Sequence, residues 1–222
     1  MKNIILIAAP AAGKGTEAVK LKEEFNIPHI STGNLLRASA SKGDELGKQI
    51  DELIKNGQFV NDEIVLELLK RRITEKDCEN GYILDGFPRN IEQAKAYDKI
   101  LEELNKDIGI VIVLDIDKEI AKSRISGRYS CKNCGKVYNL NNLELKPINE
   151  GLCDICNIEL TRRKDDDPEV YEERYNTYLK QTEPLIDYYN VKGIVKHVNS
   201  GISADNTHNQ VIRILGEQND KH

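Results

Sequence analysis

Residues 4–25 constrain this chain more than any other stretch. An unbroken apolar run, residues 4–9, passes straight into P-A-A-G-K-G-T (residues 10–16), and a helical pattern follows with Ala18, Leu21 and Phe25 on one face. A strand with no polar face is buried on both sides, which calls for a parallel sheet covered by helices. The loop approaches the phosphate-binding pattern G-x-x-x-x-G-K-[ST]. In that pattern backbone N–H groups at a helix N-terminus cradle phosphate and the lysine supplies a point charge. Gly13, Lys14, Gly15 and Thr16 fit; Ala8 takes the first motif position, and Ala11 stands where glycine would also be comfortable. If either needs φ > 0, alanine costs roughly 1–2 kcal/mol and its Cβ crowds the phosphates. By itself the pattern also suits a plain β-turn-α connection with a surface lysine.

The alternation continues. Apolar runs bounded by turns recur at 28–31, 82–85, 108–116 and 194–198, which with the first run gives five strands. Between them lie helical patterns, one opening at Asn61 as N-cap with Asp62 and Glu63 in its first turn and the pairs Ile64/Leu68 and Val65/Leu69 beyond. Strands alternating with helices predict an α/β fold, a five-stranded parallel sheet between two helical layers. Two stretches break the pattern. Residues 32–57 hold two short helical patterns split near Lys42-Gly43, and residues 127–166 lose helical periodicity and gain cysteines. Both read as insertions at the rim of the sheet. The polar tail after Leu215 is expected to fray.

Size and charge narrow the function classes. A chain of 222 residues suits one domain with insertions, and a net charge of −5 disfavours non-specific binding to nucleic acid or an anionic membrane. No apolar run is long enough for a transmembrane helix. The apolar run behind Met1-Lys2-Asn3 resembles a signal-peptide core, but the phosphate-loop pattern stands where a cleavage site would be. Of five cysteines, four form two C-x-x-C pairs, which indicates metal in a reducing, cytoplasmic setting rather than disulfides.

Those pairs are Cys131/Cys134 and Cys153/Cys156, separated by eighteen residues, a ribbon-like ligand spacing. Gly135 and Asn157 follow the pairs, where tight knuckles favour left-handed backbone. Four thiolates close a tetrahedral shell, so the ion is expected to be structural Zn²⁺, stabilising an insertion with little core of its own. Iron fits the same shell. Cys78 stands alone and reads as a small half-buried residue.

Y-I-L-D-G-F-P-R (residues 82–89) ends a strand on Asp85, where a carboxylate can hold the water shell of Mg²⁺ near Thr16. Gly86 permits close approach of a ligand to the backbone, and Arg89 can grip phosphate with two parallel hydrogen bonds. S-T-G-N-L-L-R (residues 31–37) brings a second such group, Arg37. Taken singly, either arginine is as easily a surface ion pair; the inference rests on their number.

In combination, A-P-A-A-G-K-G-T, I-S-T-G-N-L-L-R, L-D-G-F-P-R-N, the G-R before the cysteines and the R-R-K-D-D after them resemble the adenylate kinase family, in its long bacterial form with a zinc-binding lid, over nearly the whole chain. The resemblance implies a P-loop NTPase-like core (1–30, 61–126 and 167–222), an insertion for the nucleoside monophosphate (31–60) and a zinc-bearing lid (127–166). It implies Mg²⁺-dependent interconversion of ATP + AMP with two ADP by a monomer. By similarity Ala11, Ala12, Gly13, Lys14, Gly15 and Thr16 wrap the ATP phosphates, Val137 and Tyr138 flank the base, and Ile202 joins them. Thr32, Arg37, Gln58, Phe59, Val60, Gly86, Phe87, Pro88, Arg89 and Gln93 hold AMP. Arg124, Arg128, Arg163 and Arg174 close on the phosphoryl group, the last two also reaching AMP. No general base is implied, because the attacking AMP phosphate is already an anion.

The chain departs from the family pattern at Ala8 and Ala11 (glycines), Asn34 (aspartate) and Asn199-Ser200 (Asp-Gly). The missing glycines predict weaker ATP binding or slower turnover. The alternatives are a kinase for another nucleoside monophosphate, against which Thr32 favours AMP, and a nucleotide-binding protein with impaired turnover. A zinc-ribbon nucleic-acid binder is disfavoured by the acidic charge and the lack of a basic ribbon interleaved with aromatics.

Overall fold

Alternation along β1 (Ile4–Ala8) decides how the layers form. Ile5 and Ile7 point into one apolar cluster, while Ile4, Leu6 and Ala8 point into another on the opposite face of the sheet. The structure is a computed structural model and describes residues 3–55, 60–142, 145–162 and 166–219. Strand order is β2 (His29–Ser31), β3 (Ile83–Asp85), β1, β4 (Ile110–Asp115), β7 (Val195–Asn199), and every pairing is parallel. The five runs expected from sequence are these five strands.

Helices α4 (Asp62–Ile73), α5 (Ile91–Glu103) and α8 (Pro184–Asn190) cover the first face through Val65, Leu69, Ile73, Tyr97, Leu101, Leu185 and Tyr189. Helices α1 (Lys14–Phe25) and α9 (Ala204–Asn219) cover the second through Ala18, Leu21, Val211 and Leu215. Asn61 caps α4 as expected, its side chain accepting from the Glu63 N–H at 2.9 Å. Of the paired positions on α4, Val65 and Leu69 are buried and Ile64 and Leu68 half-buried. Two polar contacts dock α9 on α1: His208 Nδ1 lies 3.0 Å from Glu17 Oε1, and Lys20 pairs with Asp205. Among the described residues the helix runs on to Asn219, beyond Leu215, where the polar tail was expected to begin to fray.

The chain winds from β1 to β2 and β3 on one side, then crosses to β4 on the other. That reversal opens a crevice at the carboxyl end of β1, where ligands bind in open parallel sheets. The loop 9–13 lies there.

The first insertion contains α2 (Thr32–Ala40) and α3 (Glu45–Lys55), broken at Gly43, whose φ is +71°. In the second, β5 (Arg128–Ser130) and β6 (Val137–Asn139) form an antiparallel hairpin, entered from α6 (Lys118–Ser126) and left through α7 (Pro168–Thr177). A π-helical stretch, Tyr178–Thr182, joins α7 to α8. No described helix is long and apolar enough to cross a membrane.

Cys78, expected to be half-buried, is buried. It ends a short 3₁₀ turn beneath the Arg72 guanidinium, whose Nη1 lies 2.9 Å from its sulfur, and burial pushes the thiol up to about 11.

Candidate active site and metal centre

The loop after β1 turns through Ala12 N–H donating to Ala9 O at 3.2 Å and enters α1 at Gly13 with φ +94°. Ala8 lies within β1 in extended backbone, so the cost anticipated for alanine does not arise there. Ala11 is the strained one, at φ +66°. Its methyl group packs against the cluster of Ala121, Ile125 and Tyr171 from α6 and α7, which offsets part of that strain. A Cβ on Gly15 would sit 4.0 Å from Asp85 Oδ2, so the end of β3 borders the loop.

Asp85 is held from two sides. Lys14 Nζ stands 3.5 Å from Oδ1 and His29 Nε2 stands 3.1 Å from Oδ2. Burial alone would raise the Asp85 pKa, but the His29 hydrogen bond and the Lys14 charge outweigh it and keep the carboxyl below its ordinary value. For Lys14, burial lowers the pKa and Asp85 opposes it, while the positive charges of Arg89 and Arg174 lower it further. Those couplings put guanidinium groups from the β3–α5 loop and from α7 within electrostatic reach of the loop lysine.

Beside this lies a pocket edge made by α2 and the loop after β3. Gly86 has φ +80°, and a Cβ there would lie 3.5 Å from both Arg89 Nη2 and Thr32 Oγ1. Thr32, buried, donates to Gly86 O at 3.3 Å, and Arg89 Nε donates to the same oxygen at 2.8 Å. Gln93 accepts from Arg89 N–H at 2.8 Å and donates to Asp62 Oδ1 at 2.6 Å. Phe87, joined to Pro88 by a cis peptide bond, is buried edge-on against Tyr97, so its ring belongs to the core. Arg37 Nη2 donates to Asn34 Oδ1 at 2.6 Å, a hydrogen bond to a neutral amide where an aspartate would make an ion pair. Val60 is half-buried against the core; Gln58 and Phe59 lie outside the described residues.

On the lid side, Arg124 Nη2 donates to Gly201 O at 3.1 Å, with exposed Ile202 next in the chain. Arg128 makes a two-pronged pair with Asp166, Nε to Oδ2 at 2.9 Å and Nη2 to Oδ1, and Asp166 is fully buried. Arg163 lies outside the described residues. Val137 is half-buried. Tyr138 is 1% exposed, its ring packed with Cys131, Cys153 and Leu160.

The four paired cysteines place all their sulfurs within 4.8 Å of one another. A tetrahedral Zn²⁺ with bonds of about 2.3 Å holds its sulfurs roughly 3.8 Å apart, so the set fits such an ion. Each knuckle turns as expected: Gly135 (φ +74°) and Asn157 (φ +52°) donate back to Cys131 O at 3.0 Å and Cys153 O at 2.8 Å.

Sequence reasoning missed His29, Asp166, Asn139 and the Glu17–His208 pair. His29 shares a face of β2 with Ser31, which pairs with Asp85, but that register follows from strand order and is not written in the local sequence. The others depend on contacts between distant segments.

The fold and its loop define a P-loop nucleotide-binding α/β protein. The family model described as adenylate kinase matches residues 6–194. The adenylate kinase of Thermotoga neapolitana is 43% identical over 217 residues, covering 97% of this chain and 98% of the relative. That of Caldicellulosiruptor bescii is 45% identical over 96% of this chain and 99% of its own length. That of Archaeoglobus fulgidus is 44% identical over 96% of this chain and 97% of the relative. The chain belongs to the adenylate kinase family, whose members are nucleoside monophosphate kinases.

Proposed function

We propose that the protein transfers the terminal phosphoryl group of Mg²⁺-bound ATP to AMP, reversibly, giving two ADP. The observation that carries this is Lys14 standing 3.5 Å from Asp85 at the carboxyl end of β1, beside Arg89 on the loop after β3, with the Arg174 charge from α7 acting on the same lysine. Phosphoryl transfer asks a protein mainly for positioning and charge neutralisation, and cations gathered around a phosphate loop supply both. Lys14 neutralises the transferring group. Arg89, Thr32, Gln93 and Arg37 hold the acceptor phosphate and its nucleoside with Gln58, Phe59, Val60, Gly86, Phe87 and Pro88. Arg124, Arg128, Arg163 and Arg174 close from the lid side, and Val137, the backbone at Tyr138 and Ile202 border the donor base, the Tyr138 ring being buried in the knuckle.

Mg²⁺ supplies charge neutralisation between the transferring phosphates, and Asp85 is the carboxylate that takes its water shell. Zn²⁺ in the four-cysteine knuckle is structural, since no ligand position is left open. The core comprises 1–30, 61–126 and 167–222, the acceptor insertion 31–60 and the lid 127–166. The protein acts as a monomer in the cytoplasm, a setting that suits clustered thiolates.

The test is ADP formation from ATP with AMP, CMP, UMP or GMP as acceptor, with and without Mg²⁺. ADP formed with AMP alone, only with Mg²⁺, is the expected result. A preference for another monophosphate would move the assignment to that acceptor. Nucleotide binding without ADP formation would make the strained Ala11 loop the mark of a binding protein.

A further inference from the structure

We propose that Tyr138 is a positioning residue that couples the metal knuckle to the nucleotide-facing hairpin, so that metal retention and ATP binding strengthen one another. This rests on the assignment of β5–β6 to the ATP side of the lid.

The Tyr138 hydroxyl is committed at both ends. It donates to Cys153 Sγ at 3.4 Å and accepts from the Asp154 backbone N–H at 2.8 Å, two adjacent positions of the second knuckle. Its ring is buried on Cys131 and Leu160, beneath Lys136 Nζ at 5.0 Å from the ring centroid, and Lys136 in turn pairs with Asp154 at 3.4 Å. A buried ring held this way does not stack on a nucleotide base; its hydroxyl is spent on a metal ligand.

From Tyr138 the connection runs through β6. Asn139, next in the strand and also buried, pairs in register with Arg128. Its side-chain amide donates to Arg124 O at 2.8 Å, and its carbonyl accepts from Asn141 N–H at 2.9 Å. One strand step therefore separates the hydroxyl on the thiolate from the residue that fixes the end of α6 and faces Arg128. Groups that orient metal ligands from the outer shell act strongly on affinity, and replacing one typically costs 10–100-fold. If metal binding fixes the hairpin that meets ATP, linkage requires ATP to tighten metal binding by the same factor, and slower metal loss is the expected kinetic reading of it.

Zinc release from the zinc-loaded protein to a chromogenic chelator reads this directly, with Mg²⁺ in excess so that free nucleotide does not itself carry zinc. Tyr138→Phe, which keeps the ring and removes only the hydroxyl, is expected to release zinc about 10–100-fold faster. Mg-ATP should slow release from the wild-type protein, AMP should not, and the ATP effect should shrink in the variant. ATP affinity should fall in the variant with AMP affinity unchanged, a split that general loosening would not give. Equal release rates for the two proteins would overturn the proposal. So would absence of ATP protection in the wild type, which needs no variant. ADP formation by the same wild-type preparation tests the activity separately.

Discussion

At the scale of single residues, Ala11 is where backbone chemistry and ligand chemistry pull against each other. Left-handed backbone costs an alanine roughly 1–2 kcal/mol. Its half-buried methyl returns up to about 0.8 kcal/mol, and a glycine would lose roughly 0.5–1 kcal/mol in unfolded-chain entropy. These nearly cancel. Ala11→Gly should therefore move thermal stability by no more than about 1 kcal/mol, and on the crowding expected from sequence it should lower KM for ATP. Unchanged or raised KM would refute the crowding argument. Ala8→Gly should behave differently: Ala8 is buried in a strand with ordinary backbone, so the change costs about 1 kcal/mol with no gain in ATP binding. The sequence identified both alanines but could not say which was strained, because φ depends on where the strand ends.

Two carboxylates, Asp85 half-buried and Glu17 buried, give opposite dependences on pH. Asp85 is held below its ordinary pKa, so its contribution to stability is complete above the unfolded value of about 3.9 and is lost as pH falls through the folded one. For Glu17 burial dominates and raises the pKa despite the hydrogen bond to His208. The folded state then holds that proton more tightly than the unfolded one, and stability declines as pH rises from about 4.3 through the raised value. Glu17→Gln should accordingly raise Tm near neutral pH, with the difference vanishing below about pH 4. Equal melting curves at neutral pH would show that His208 fully compensates the buried charge.

At the scale of elements, the lid has its own small apolar cluster, built on two of the thiols and separate from the two that flank the sheet. A metal bound by the four cysteines would supply most of what holds so small a cluster, since structural zinc sites contribute about 10–16 kcal/mol in isolated fingers. Stripping the metal with a chelator should raise hydrogen exchange throughout β5, β6 and the knuckles while β1 and β4 remain protected. Uniform exchange across the chain would mean that lid and core unfold as one. Here the sequence was highly legible, because C-x-x-C spacing and the residues after each pair dictate a knuckle by local geometry. The pairing of Arg128 with buried Asp166 was not. It joins residues 38 apart in the chain, and no local pattern announces such a contact.

At the scale of the whole molecule, the sheet was legible because its three middle strands, β3, β1 and β4, are apolar runs buried on both faces; the edge strands β2 and β7 carry polar residues. Strand order was not. Which run lies beside which is set by crossover handedness and by helices packing across faces, information spread over the entire chain. The π-helical stretch of residues 178–182 shows what such distant fitting requires. One residue more than an α-helix needs is accommodated between a segment locked into the core and the segment bearing Arg174. Each residue of an α-helix advances the chain by about 100°. Deleting one residue there would straighten the rod and swing that guanidinium roughly a quarter-turn around it, away from Lys14, with every side chain still present. The aim of that arm is thus fixed partly by counting: a single surplus residue, in a stretch whose Thr182 donates to Arg89 O at 2.9 Å, sets the direction in which it points.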